Sequence, residues 1–106
     1  METKYAELIR TITTCQHGTP EYYIVRKELV FVERELIAKV LSGDTSFDRT
    51  IRNLPNELLE AATDTHYSSE KSICEFREDN IDWFRVNGYA DFADRLERCL
   101  TTGEYC

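Results

Sequence analysis

The sequence predicts an all-α fold: a single domain over residues 1–106, a compact bundle of about five helices with one long central hydrophobic helix. Three observations predict it. Apolar residues recur at three- and four-residue spacing along most of the chain. Only Gly 4 and Pro 2 are present, too few for the tight turns of a β-rich fold. Each of these residues also falls where a helix would end or begin: Gly18, Pro20, Gly43, Pro55, Gly88 and Gly103. A chain of 106 residues buries about two-thirds of the surface exposed in its unfolded form, enough for one core.

The first helix is expected over residues 4–15, where Tyr5, Leu8, Ile9, Ile12 and Cys15 share one face. Gln16-His17-Gly18 stops it. Thr19-Pro20-Glu21 then supplies a side-chain cap, a residue without an amide donor, and a carboxylate that complements the helix dipole. The second helix runs from Pro20 to Leu41 and ends at Ser42-Gly43-Asp44. Placed at about 100° per residue, Val25, Leu29, Val32, Leu36 and Val40 form a packing seam. Tyr23, Val30, Ile37 and Leu41 form a second apolar line, and Ile24, Phe31 and Ala38 a third. A helix apolar on several sides needs neighbours on several sides, so a homodimer covering part of it is expected. The alternative is an α+β fold with a hairpin here, because Tyr, Ile, Val and Phe are good strand formers. Arg26-Lys27-Glu28 makes a poor tight turn, and the helix is preferred.

Past Gly43, Ser46 is expected to cap a short helix with Phe47, Ile51 and Leu54 inward. Pro55 starts a new turn that continues to Ala62. Residues 63–69 read as a polar loop containing His66, with Ser68 or Ser69 capping a fourth helix that carries Ile73, Phe76, Ile81 and Phe84 and exits at Asn87-Gly88. A last helix over about residues 89–101 carries Phe92, Leu96, Cys99 and Leu100.

Net charge is −7, and it is unevenly placed. Residues 1–43 hold six basic and six acidic side chains, whereas residues 44–106 hold seven basic and fourteen acidic ones. Such a second part repels phosphate backbones and attracts basic surfaces, which argues against direct nucleic-acid binding. None of the helices expected after Gly43 is net basic, as a DNA-reading helix would need to be. No apolar run reaches the length of a membrane span, and Met1-Glu2-Thr3-Lys4 lacks the order of a secretory signal. A cytoplasmic protein with reduced cysteines is expected.

The acidic residues fall in two rows. Glu75, Glu78, Asp79 and Asp82 share one side of the fourth helix, and Asp91, Asp94 and Glu97 form a second row on the last. Trp83, Phe84, Tyr89 and Phe92 gather about the Asn87-Gly88 turn, either closing the core or presenting an anchor for a partner. The expected function is therefore a non-enzymatic interaction protein that docks on a basic, nucleic-acid-handling protein, as an inhibitor whose carboxylates imitate phosphates. Its contact residues are Glu75, Glu78, Asp79, Asp82, Trp83, Tyr89, Asp91 and Asp94. No cofactor or metal is required.

Glu75-x-x-Glu78 followed by Asp91-x-x-Asp94 resembles the paired acidic motifs of the all-α nucleotide pyrophosphohydrolases over about a fifth of the chain, with Asp91 where that family has Glu. The resemblance implies the alternative function, Mg²⁺-dependent hydrolysis of nucleoside triphosphates. Asn53-Leu54-Pro55-Asn56-Glu57-Leu58-Leu59 resembles the opening of an F-box, which implies a small helical adaptor; Ala61-Ala62-Thr63-Asp64 stands where that family has apolar residues. Cys15 and His17 are one residue apart and His66 precedes Cys74 by eight, so neither pair has zinc-framework spacing. Neither histidine belongs to a local nucleophile motif. Cys15 and Cys99 read as small core residues, and Cys106 as an exposed terminal thiol.

Overall fold

The computed structural model describes residues 2–66 and 69–104. In chain order the elements are α1 (Glu2–Thr14), α2 (Pro20–Leu41), α3 (Arg49–Arg52), α4 (Leu54–Thr65), α5 (Glu70–Phe76), a π-turn (Arg77–Ile81), α6 (Asp82–Val86) and α7 (Ala90–Thr102). All are helical. No strand occurs among the described residues, and residues 22–32 lie within α2, so the hairpin alternative falls away.

The start of α2 is built as its sequence requires. Thr19 is extended and its hydroxyl accepts from the Tyr22 amide at 3.3 Å, with Pro20 in the first turn. Two boundaries differ from expectation. Ser46 does not cap α3: its amide and hydroxyl both donate to Asp44 Oδ1, at 2.9 and 2.6 Å, closing a tight turn of their own. Asp48 is the cap instead, accepting from the Ile51 amide at 3.1 Å. Residues 63–65, expected in a loop, continue α4, because the Thr63 and Thr65 hydroxyls donate back to the Leu59 and Ala61 carbonyls and need no other partner. Ser69 caps α5 through the Ser72 amide, whereas Ser68 and Cys106 lie outside the described residues.

The core is one cluster. Leu36 and Ile37 of α2, Leu59 and Ala62 of α4, Ile81 of the π-turn, Phe84 of α6, and Leu96, Cys99 and Leu100 of α7 are fully buried or nearly so. Phe47, Ile51 and Leu54 point inward as expected. Cys15, by contrast, is only partly buried. α4 packs chiefly along α7, and α1 along α2. Phe84 sits at the aromatic corner, meeting Trp83 and Phe92 edge-on with centroids 5.0 Å apart and Tyr89 at 6.3 Å.

His66 closes the far end of this packing. Its Nδ1 donates to the Leu100 carbonyl at 2.9 Å, tying the end of α4 to the last turn of α7. Gly103 follows with φ of 70°, and a Cβ there would lie 2.9 Å from the His66 ring. Left-handed backbone and close approach both demand glycine. The residue expected to be a loop bystander is thus a structural tie.

α2 is the longest helix, about 33 Å at a rise of 1.5 Å per residue. Its burial is lopsided. Leu29, Val32, Leu36, Ile37 and Ala38 are buried, all in the second half or just before it, and Val25 and Val40 are partly covered. Tyr23, Ile24 and Phe31 remain exposed. Only one of the three apolar lines expected to find neighbours is covered along its length.

Truncating the aromatic corner tests the packing. Phe84→Ala removes a fully buried ring and should lower the free energy of unfolding by about 3–5 kcal/mol, measured in urea titrations by circular dichroism.

Candidate functional site

The acidic row is carried on a rod made of α5, the π-turn and α6, which run on without a break. Glu75, Glu78, Asp79 and Asp82 are all exposed, and none forms an ion pair among the described residues. Ile73, Ile81 and Phe84 lie on the covered side, Ile73 only partly. Within the row the backbone departs from an ordinary helix. The Asp82 amide reaches back five residues to the Arg77 carbonyl, so an extra residue is accommodated in the turn.

Arg34 of α2 grips that widened turn. Its Nη1 donates to the Asp79 carbonyl at 3.2 Å. The guanidinium lies over two rings, its carbon 4.2 Å from the centroid of Phe31 and 5.0 Å from that of Trp83. Burial lowers the Arg34 pKa, and the charges of Asp79 and Glu35 work against that shift. Its Nε is enclosed without a hydrogen-bond partner. Trp83 is therefore a half-buried wall of this clamp, packed on Phe84, and one side of its indole is committed to the fold.

The second row is tied differently. Nη2 of Arg85 on α6 donates to Asp94 at 3.1 Å and to Glu97 at 2.9 Å, across the Asn87-Gly88 turn. Both partners are largely solvated, so this contact orients α7 and contributes little stability. Asp91 is exposed and, with Tyr89, Leu41 and Phe92, lines a groove of about 300 Å³ at the aromatic corner. Tyr89 is half-buried there. No group of three or more His, Cys, Asp or Glu side chains able to hold a metal exists among the described residues. Leu54 and Leu59 of the F-box-like segment are buried in the core and Leu58 is partly so.

A second groove of about 210 Å³ lies between α2 and α4, lined by Glu33, Ile37, Leu54, Glu57, Leu58 and Ala61. Burial pushes the Glu33 carboxyl up to about 7, helped by the charge of Glu57. Tyr5 is pushed up to about 12, first by burial and then by Glu33, Glu57 and Asp48. The sequence held a signal for Glu33. It lies four residues after Leu29 and three before Leu36, which puts it on the buried side of α2 although it reads as part of a charged triplet.

No protein-family model, curated protein or solved structure matches the chain. Among the described residues no helix is long and apolar enough to cross a membrane, and Cys15, Cys74 and Cys99 are free thiols.

Glu33 gives the protein a pH dependence of definite sign. The folded protein keeps this proton up to about pH 7, whereas an unburied carboxyl releases it near 4.5. The folded state therefore binds more protons between those values, and stability falls as pH rises from about 4.5 to about 7. Glu33→Gln should raise the unfolding free energy at pH 8 by roughly 2 kcal/mol and leave it unchanged at pH 4, a difference readable from urea midpoints.

Proposed function

We propose that this protein is a non-enzymatic, cytoplasmic interaction module whose acidic rod docks on the basic surface of a nucleic-acid-handling protein and competes there with nucleic acid. One observation carries the reading: Glu75, Glu78, Asp79 and Asp82 stand exposed and, among the described residues, without ion-pair partners on a rod whose widened turn is hydrogen-bonded by Arg34. Over seven residues the row spans about 10 Å of helix axis at 1.5 Å per residue. Four charges in that length make a dense line of negative charge, the feature a phosphate-binding groove attracts. Rigid placement matters, because a charged row held in register loses little entropy when it meets a complementary groove.

Asp91 continues the acidic surface at the mouth of the aromatic-corner groove, where Tyr89 offers a half-exposed anchor beside the charges. Trp83 contributes by its remaining open edge. Charges at the rim speed encounter and the aromatics retain the partner. The reading includes self-association through part of α2, whose Tyr23, Ile24 and Phe31 are left uncovered by the chain itself.

The rival reading, Mg²⁺-dependent hydrolysis by Glu75, Glu78, Asp91 and Asp94, needs those carboxylates around one ion, and Asp94 is instead engaged by Arg85.

Salt and charge neutralisation test the proposal together. Immobilised protein should retain basic nucleic-acid-binding proteins from a lysate at low ionic strength, release them as salt rises, and release them to added duplex DNA. The combined variant Glu75→Gln, Glu78→Gln, Asp79→Asn, Asp82→Asn should lose that capture while keeping its helical circular dichroism. Capture that survives high salt and neutralisation would sink the reading.

A further inference from the structure

The exposed side of α2 has a charge pattern of its own. At about 100° per residue, Ile24 and Phe31 lie roughly 110–130° around α2 from the line Leu29, Val32 and Leu36 that enters the core. Ile24 is 61% exposed and Phe31 45%. Single exposed apolar side chains are commonplace, but two of them seven residues apart on one helix share the spacing of a helix seam. Lys27 borders this strip on one flank as an exposed cation, next to Arg34, whose guanidinium is held over Phe31 and Trp83. Glu21, Glu28 and Glu35 border it on the other, at seven-residue intervals.

We propose that this face pairs with the same face of a second copy of the chain, the two α2 helices running parallel. The inference rests on the self-association read above and adds its surface and its direction. Two symmetric arrangements exist for a pair of identical helices. In the parallel one the two-fold axis runs along the helices and exchanges left and right, so the exposed Lys27 of each chain faces the Glu21, Glu28 and Glu35 flank of the other. In the antiparallel one the axis is perpendicular and each flank meets its own kind, setting Lys27 near Lys27 and Glu28 near Glu28. Charge complementarity selects the parallel pair. Ile24 then meets its counterpart and Phe31 its own, in register.

Sedimentation equilibrium and disulfide trapping decide the matter. At micromolar concentration the wild-type chain, 12.4 kDa as a monomer, should sediment with twice that mass. Phe31→Glu should restore the monomer with unchanged helicity. Lys27→Glu, at an exposed position that cannot disturb the core, should weaken pairing roughly tenfold at low salt. For direction, Ile24→Cys is placed in a background with Cys15, Cys74 and Cys106 changed to Ser and the buried Cys99 retained. Mild oxidation should join Ile24→Cys chains to each other. A dimer that links only when Ile24→Cys and Phe31→Cys chains are mixed overturns the parallel pairing and leaves self-association standing; a wild-type monomer overturns both. Neutralising Glu75, Glu78, Asp79 and Asp82 should not change the mass, which separates this result from the docking reading.

Discussion

Leu29, Val32, Leu36 and Ile37 occupy one side of α2, and the burial of that side organises the other helices around it. α1 packs along the helix, α3 and α4 pack against it, and the π-turn is fastened to it by Arg34. Because the buried positions cluster in the second half, the compact core gathers there and the first half rests chiefly on α1. The strip left exposed on another side of α2 follows from the same fact. Six short or medium helices do not surround this 22-residue helix on every side.

Arg34 links this packing to the acidic surface. A guanidinium placed over two aromatic rings is partly desolvated, and the arrangement persists because the Asp79 carbonyl accepts one of its donors. That carbonyl belongs to the widened turn, so the geometry of the carboxylate row and the packing of α2 are mechanically one feature. Rods with a π-turn often carry function at the irregularity. Here the extra residue changes the direction in which Asp82 and the residues after it point relative to Glu75 and Glu78.

Charge is handled in two ways in this molecule. Outside, carboxylates of the rod stay solvated and available, while Arg85 gathers Asp94 and Glu97 across the helix turn. Inside, Glu33 is enclosed beside Glu57, and its proton is retained to about pH 7 at a cost to stability once it leaves. The same element, α2, supplies Glu33 to the interior, Arg34 to the clamp and Glu35 to the exposed flank. Three consecutive charged residues thus enter three environments, since successive residues on a helix point about 100° apart.

Much of this was legible in the sequence. Helix class, the span Pro20–Leu41, its Thr19 cap, the stops at Gly18, Gly43, Gly88 and Gly103, and the exposed acidic face all follow from local rules: capping, the missing proline donor, glycine's left-handed backbone and the period of the helix. These forces act within a few residues, so a short stretch suffices to read them. The Asp48 start of α3 and the length of α4 were misjudged because competing short hydrogen bonds, Ser46 to Asp44 and Thr63 to Leu59, depend on which partner the folded backbone brings nearest. The role of His66 and the Arg34 clamp were decided by tertiary structure alone. Each joins residues distant in the chain, as His66 joins Leu100 and Arg34 joins Asp79, and no local pattern specifies such a meeting. It is the demand to bury one apolar side of α2 that brings them together.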